Sequence, residues 1–185
     1  GVVQGSGDVG QALLSAGIDA CVFTGSAATG RKVGVRCAEL GIPSSLEMGG
    51  NDPAIVLGDC DLERTAAGVT QWALNNAGQA CGAIEVAFVD RRIADRLVER
   101  LTDTWRRLRV GSGHFAEVDV SPLANPRQLA VVEAHVRDAR ERGATVRVGG
   151  ERVGEGLWYR PTLLDDCTME MRIVRDETFG PVLPI

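Results

Sequence analysis

Short apolar runs alternate along the chain with longer stretches of helical spacing. Residues 21–24 (CVFT), 53–57 (PAIVL) and 85–89 (EVAFV) are runs of the length and composition that predict strands. The first of them is uninterrupted by polar side chains other than Thr24, which predicts a buried strand. Strands that alternate with helices of ten or more residues predict an α/β fold with a parallel, doubly wound sheet.

Capping residues mark where the helices begin and end. Ser26 is expected to start a helix that reaches about Leu40 and is closed by Gly41. Further helices are predicted after Asp61, Asp90 and Asn125, and the last two end near Gly111 and Gly143. The Gly49–Gly50 pair is the best candidate for a crossing between domains.

Composition excludes several classes of protein. The chain has 185 residues, 44% of them apolar and 24% charged, with a net charge of −5, so neither a nucleic acid nor an anionic membrane is an expected partner. No run is apolar enough to cross a bilayer, and no signal peptide is expected. Five cysteines without C-x-x-C spacing favour neither a disulfide framework nor a metal site, and a cytoplasmic location fits best. The chain lacks an initiator Met and stops within an apolar run, so it is expected to be a piece of a longer protein.

The first glycine-rich stretch, GSGDVG at residues 5–10, has the letters of a dinucleotide-binding turn. That fingerprint also requires an acidic residue at the tip of the next strand, where it would bind the ribose. The strand that follows ends at Thr24-Gly25 without an acid. An ordinary strand-to-helix turn is therefore the better interpretation.

The second stretch, FTGSAATG at residues 23–30, places Gly25 and Ser26 at the first turn of a helix, where free N–H groups can bind a phosphate. Gly25 would let a ligand approach the backbone, and Gly30 would let the helix pack closely on its strand. The spacing alone does not separate this role from that of Ser26 as a plain N-cap.

Two further stretches carry side chains that are unusual for a scaffold. Glu47 stands in an apolar strand directly before Gly49-Gly50, and Cys81 stands among small residues in NNAGQACGA. An accessible cysteine can act as a nucleophile when a base assists it, and a carboxylate can activate a thiol or a water molecule. The residues alone leave Cys81 equally open to an inert role.

The other cysteines and the histidines are expected to be structural. Buried cysteines usually behave as small apolar residues. This interpretation covers Cys21, Cys37, Cys60 and Cys167, and it is extended to His114 and His135, which lack a neighbouring motif.

Four ordered segments, FTGS, LEMGGNDP, NAGQAC and DETFGPV, together resemble the aldehyde dehydrogenase superfamily. The resemblance runs over the whole chain. It implies that residues 1–49 are the C-terminal part of a Rossmann-like, dinucleotide-binding domain. Residues 50–185 would then be most of an α/β catalytic domain, truncated at its end.

The resemblance also assigns site residues. By motif, Cys81 matches the nucleophile and Glu47, 34 residues earlier, matches the general base. Glu177 matches the residue that binds the nicotinamide ribose, and Phe179 matches the aromatic residue beside the nicotinamide. The expected cofactor-binding residues are Thr24, Gly25, Ser26, Met48, Glu177 and Phe179.

The implied reaction is the oxidation of an aldehyde to a carboxylic acid with NAD or NADP. The Cys81 thiolate would form a thiohemiacetal, hydride transfer would leave a thioester, and water activated by Glu47 would hydrolyse it. A CoA-acylating semialdehyde dehydrogenase is an alternative, but that branch generally lacks the base that Glu47 provides. A second alternative is a non-catalytic relative of the family. The presence of Cys81, Glu47 and Glu177 argues against it.

The chain departs from the family pattern at two positions. Asn51 stands where a lysine is common, and Val86 stands where an arginine usually follows the nucleophile. The full-length protein is expected to be a homodimer or homotetramer that acts on a small aldehyde, and the 185-residue chain alone is expected to have little or no activity.

Overall fold

The computed structural model describes residues 1–113 and 117–185, so His114 lies outside the described residues. The chain divides into two compact units, residues 1–49 and residues 50–185. In the described part of the chain, no helix has the length and the apolar character that crossing a membrane requires.

The first unit is built on a parallel strand–helix–strand motif. Its elements are α1 (Gly7–Ser15), β1 (Cys21–Gly25), α2 (Ala27–Leu40) and β2 (Ser44–Met48). The two strands run parallel, with Cys21 opposite Ser44. Helix α2 begins and ends as predicted, because the Ser26 hydroxyl accepts a hydrogen bond from the Thr29 N–H and Gly41 adopts a left-handed conformation (φ 68°).

The strand predicted at residues 21–24 is present as β1, but the prediction that it is buried is wrong. Val22 in β1 is 80% exposed. The sheet of this unit has only two strands, and side chains on successive positions of a strand point to opposite faces. Helix α2 packs on both strands, so the side chains on the other face stay uncovered within the unit.

The second unit has more elements and contains both hydrophobic cores. Its elements are β3 (Asp52–Val56), α3 (Leu62–Leu74), a 3-10 turn (Asn75–Gly78), β4 (Ile84–Val89), α4 (Ala94–Trp105), α5 (Pro126–Glu141), β5 (Thr145–Val148), β6 (Thr162–Asp165), α6 (Arg172–Arg175) and β7 (Val182–Pro184). Strands β3 and β4 pair in parallel, as do β6 and β7. Strand β5 runs antiparallel to β6, a departure from the expected all-parallel arrangement. The predicted α/β class is confirmed.

Helix α4 is shorter than the sequence predicts. Asp90 does not cap it, because its carboxylate accepts a hydrogen bond from the Arg92 N–H in a turn before the helix. The helix begins at Ala94 and ends at Trp105, and the Trp105 indole donates to the Thr70 hydroxyl over 2.9 Å. Asp61 and Asn125 do cap α3 and α5, through hydrogen bonds from the N–H groups three residues later.

Two clusters of buried side chains stabilise the second unit. One lies where α3 and α4 pack on the β3–β4 pair, and its fully buried members include Leu97 and Leu101. The other involves α5, α6 and strands β6 and β7, with Val132 and Ile173 fully buried. Each fully buried aliphatic side chain contributes about 1.5–3 kcal/mol relative to an exposed one, so both clusters favour the folded state of the unit.

Candidate active site

Cys81 lies at an exposed turn between the 3-10 turn and β4. The Ala83 N–H donates to the Ala80 carbonyl over 3.0 Å, which closes the turn around Cys81 and Gly82. Cys81 is exposed, whereas Cys37 is buried and the other three cysteines are partly buried. The side chain expected to be the nucleophile is therefore accessible.

The backbone before Cys81 has an unusual conformation. Asn76, Ala77 and Gly78 are consecutively left-handed, with φ values of 51°, 57° and 72°. Such values are strained for residues other than glycine and persist only where the surroundings hold them. The Asn76 amide donates to the Gln79 carbonyl over 2.9 Å, and the Gln79 amide donates back to the Asn76 carbonyl over 3.1 Å. The Gln79 side-chain oxygen also accepts the Ala124 N–H at 2.8 Å, which ties the loop to the start of α5.

Gly78 packs directly against the backbone of a distant segment. A Cβ atom at this position would overlap the carbonyl oxygen of Gly180. No side chain fits between the two, so the turn that leads to Cys81 lies against the segment that contains Glu177 and Phe179. Within the second unit, the structure thus brings together the two segments that contain Cys81, Glu177 and Phe179.

Glu177 is partly buried and is bound to the start of the unit. Its carboxylate accepts the Gly50 N–H over 3.2 Å. Burial raises the pKa of Glu177 above its ordinary value, and the nearby Asp52 carboxylate raises it further, although the Gly50 hydrogen bond opposes both effects. Phe179, two residues later, is half-buried and left-handed with φ 52°.

Three residues hydrogen-bond to this segment, and the sequence motifs assign none of them to the site. Glu85, Gln128 and His135 each hydrogen-bond to Thr178, Phe179 or both. Glu85 was the one with a visible signal, because it is a carboxylate inside the apolar run of β4. His135 keeps the structural role expected for it, as a buried side chain whose Nδ1 lies 3.0 Å from the Thr178 hydroxyl.

The other predicted residues form a second group within the first unit. Thr24 and Gly25 are the last residues of β1 and pair with Glu47 and Met48 of β2. Thr24, Gly25 and Ser26 are exposed, so the first turn of α2 is open to a ligand. A helix N-terminus with free N–H groups is a favourable site for a phosphate group.

Gly30 brings α2 close to its sheet, as the sequence predicts. A Cβ atom there would lie 2.5 Å from the Met48 sulfur and 3.3 Å from the Phe23 ring. Met48 itself is 38% exposed. The packing therefore fixes the distance between the start of α2 and the end of β2.

Glu47 lies in β2 with its side chain exposed. The sequence suggested a carboxylate at the end of a buried strand, but the other residues of β2 are also exposed or only partly buried. The position of Glu47 is fixed by the parallel register that places it opposite Thr24.

The GSGDVG stretch does not form the expected strand-to-helix turn. Residues 1–5 adopt no regular structure, and α1 begins at Gly7 inside the motif.

The two departures from the family pattern have structural roles. The Asn51 amide donates to the Val174 carbonyl over 2.7 Å, which ties the start of β3 to α6. Val86 is buried in the second cluster, where an arginine would need a partner for its charge.

Comparisons with known proteins agree with this arrangement. The family model described as "Aldehyde dehydrogenase family" matches residues 1–185. A "Probable succinate-semialdehyde dehydrogenase [NADP(+)]" of Sinorhizobium fredii is 37% identical over 164 residues, which are 88% of this chain and 33% of that protein. The chain thus spans about a third of the length of this curated relative.

Solved structures show the same similarity in three dimensions. The succinate-semialdehyde dehydrogenase of Burkholderia pseudomallei matches with a TM-score of 0.94 and 32% identity, over 99% of this chain and 38% of that one. The betaine aldehyde dehydrogenase of Staphylococcus aureus in complex with NAD+ matches with a TM-score of 0.91 and 30% identity, over 98% and 37%. The predicted fold class is confirmed, and the chain belongs to the aldehyde dehydrogenase family.

Proposed function

We propose that the full-length protein carrying this chain oxidises an aldehyde to the carboxylic acid, with NAD+ or NADP+ as the hydride acceptor. The observation that carries this proposal is the backbone contact between Gly78 and Gly180. It places the turn of the exposed Cys81 beside the segment of Glu177 and Phe179. The names of the relatives support the cofactor class, since one carries NADP(+) in its name and another was solved with NAD+.

Cys81 is the nucleophile of this reaction. Its thiolate forms a C–S bond with the aldehyde carbon, and the carbonyl oxygen becomes the oxyanion of a thiohemiacetal. The Cys81 N–H donates no hydrogen bond to another described backbone group, and it can donate to the oxyanion. When bound, NAD(P)+ supplies the acceptor for the hydride that leaves this carbon, and the acyl group remains on Cys81 as a thioester.

Glu47 is the general base of the second half-reaction. It removes a proton from a water molecule as the water oxygen attacks the thioester carbon. The C–S bond breaks, which releases the carboxylic acid and restores the Cys81 thiolate.

Each of the two groups contains residues suited to bind part of the cofactor. The exposed first turn of α2, with Thr24, Gly25 and Ser26, can bind the pyrophosphate through its N–H groups, with Met48 packed beside it. The Glu177 carboxylate can accept hydrogen bonds from the nicotinamide ribose hydroxyls, and the Phe179 ring can contact the nicotinamide.

The nucleophile is tested with Cys81→Ser in the full-length protein. We expect NAD(P)H formation from an aldehyde panel that includes succinate semialdehyde to fall at least about a thousandfold, because a serine hydroxyl without an activating base is a much weaker nucleophile than a thiolate. NAD(P)+ binding, measured by calorimetry, should stay unchanged. The matched control is Cys60→Ser, and equal turnover of the two variants would remove Cys81 from the mechanism.

The base is tested with Glu47→Gln in the same protein. The first turnover should still release one equivalent of NAD(P)H per site in a burst, and later turnovers should be slow because the thioester accumulates. Glu39→Gln changes an exposed glutamate of the same unit and should show no burst. A steady-state rate equal to that of the wild type would contradict the role of Glu47.

The product distinguishes the alternatives. Free carboxylic acid supports hydrolysis, whereas acyl-CoA formed in the presence of CoA would show the CoA-acylating reaction. No NAD(P)H with any aldehyde of the panel would indicate a non-catalytic relative.

A further inference from the structure

Glu85 is a buried carboxylate that binds the backbone of the Glu177–Gly180 segment. It lies in β4, four residues after Cys81, and is 6% exposed. One carboxylate oxygen accepts the Thr178 N–H at 2.5 Å, and the other accepts the Phe179 N–H at 3.0 Å. Both oxygens of one side chain are therefore used by two consecutive peptide groups.

The carbonyls of the same two residues are held from the opposite direction. The Gln128 amide of α5 donates to the Thr178 carbonyl over 2.6 Å and to the Phe179 carbonyl over 2.9 Å. These contacts explain how Phe179 keeps a left-handed backbone, which is unfavourable for a bulky residue unless its surroundings enforce it.

The charges around Glu85 do not favour its burial. The Glu177 and Asp52 carboxylates carry the same sign as Glu85, and both disfavour its charged form. Among the described residues, no arginine or lysine forms an ion pair with Glu85. Burial of a carboxylate without a cation has a desolvation cost, which the two hydrogen bonds from Thr178 and Phe179 offset only in part.

We propose that Glu85 is a positioning residue for the cofactor. Its carboxylate holds the N–H groups of Thr178 and Phe179, and this fixes the orientation in which the Glu177 carboxylate and the Phe179 ring meet the nicotinamide riboside. The inference rests on the proposed function, because Glu177 and Phe179 must themselves contact the cofactor.

The test uses Glu85→Gln in the full-length protein. The glutamine side chain keeps one oxygen that can accept a hydrogen bond. Its NH2 group replaces the other oxygen and is itself a donor, so it cannot accept the N–H of Thr178 or Phe179. We expect the Kd for NAD(P)+ to rise about tenfold, with a smaller change in the KM for the aldehyde, because one charge-assisted hydrogen bond to the segment is lost. Hydrogen exchange of a peptide covering residues 176–182, followed by mass spectrometry, should become faster.

Three other variants separate positioning from general destabilisation. Gln128→Ala loosens the same segment from the α5 side and should weaken cofactor binding in the same way, which keeps the test valid if Glu85→Gln does not fold. Val98→Ala removes buried volume from the first cluster without touching the segment. Glu99→Gln makes the same chemical change on an exposed face of α4. Neither of these two should change the Kd for NAD(P)+.

The outcomes separate this inference from the proposed function. If Glu177→Ala weakens cofactor binding while Glu85→Gln and Gln128→Ala do not, the positioning role is overturned and the proposed function stands. A rise in Kd for Val98→Ala equal to that for Glu85→Gln, at an equal loss of thermal stability, would also overturn it. If Glu177→Ala leaves the Kd unchanged, the cofactor role of this segment fails and the positioning role fails with it.

Discussion

At the scale of single residues, the five cysteines are chemically unequal. Cys81 is exposed, whereas burial raises the pKa of Cys167 to about 12 and Cys37 is fully buried. Burial and the neighbouring Cys37 also raise the pKa of Cys21. Alkylation proceeds through the thiolate and needs access to the sulfur, so these differences set the order of reaction.

We therefore expect iodoacetamide to label Cys81 at least about tenfold faster than any other cysteine. Peptide mass spectrometry at increasing reaction times measures the five rates separately. The fast phase should be missing from Cys81→Ser and present in Cys60→Ser. Five similar rates would show that the exposure of Cys81 does not make its thiol more reactive than the other four.

Glu85 makes the stability of the fold depend on pH. Burial raises the pKa of Glu85 to about 7 from an ordinary value of 4.5. The folded chain therefore binds a proton more readily than the unfolded chain, and the Glu85 contribution to the free energy of unfolding increases as the pH falls from about 7 to about 4.5. His135 acts in the opposite direction, since burial and Arg172 lower its pKa.

Replacing Glu85 by glutamine should remove this contribution. The free energy of unfolding of the wild type should gain up to about 3 kcal/mol from Glu85 when the pH is lowered from 8 to 5. The Glu85→Gln variant should lack this gain. Urea titrations at the two pH values, followed by tryptophan fluorescence, measure that difference. Parallel pH profiles for the two proteins would contradict the assignment, and Glu99→Gln is the control expected to follow the wild type.

At the scale of elements, the 3-10 turn before Cys81 depends on a glycine. A Cβ atom at Gly78 would overlap the Gly180 carbonyl, and its φ of 72° is unfavourable for any other residue. We expect Gly78→Ala to lower the free energy of unfolding by about 2 kcal/mol or more. Gly68→Ala in α3 meets no atom within 4 Å and should be neutral or raise that free energy by up to about 1 kcal/mol. Urea unfolding of both variants checks the contrast.

Elements with local signals could be predicted from the sequence, and elements without them could not. Ser26, Asp61 and Asn125 are caps whose hydrogen bonds lie within three residues, so α2, α3 and α5 were found. Strand β6 is buried at three of its four positions and has no alternation to reveal it. Strand β7 has three residues and ends in a proline, and α6 has one turn.

The residues of the candidate site also fall into those that the sequence predicts and those that it does not. Cys81, Glu47 and Glu177 stand in motifs that are recognisable along the chain. The role of Glu85 depends on N–H groups 93 and 94 residues away, and such a contact leaves no pattern in the sequence. The carboxylate inside an apolar strand was the single available hint.

At the scale of the whole molecule, the buried side chains are unevenly divided. Both hydrophobic clusters consist of residues between 54 and 185, whereas the buried hydrophobic side chains of residues 1–49 are Leu14 and Cys37. A unit that buries so little apolar surface cannot offset the entropy of ordering its chain. The two units should therefore differ in independent stability.

We expect residues 50–185 to fold cooperatively when expressed alone, and residues 1–49 to remain unfolded. Circular dichroism during urea titration should show a single transition for the longer piece and none for the shorter one. Leu101→Ala in the longer piece should lower its midpoint, which shows that the transition reports the core. A structured 1–49 peptide would contradict the expectation.

The contact between Gly78 and Gly180 has a mechanical consequence. The two backbones are in direct contact there. No side chain lies between them that could change its rotamer when one backbone moves. A ligand that binds at Phe179 and shifts Gly180 by a fraction of an ångström would displace the turn that carries Cys81 by a similar amount. The position of the Cys81 sulfur would therefore depend on whether that ligand is bound.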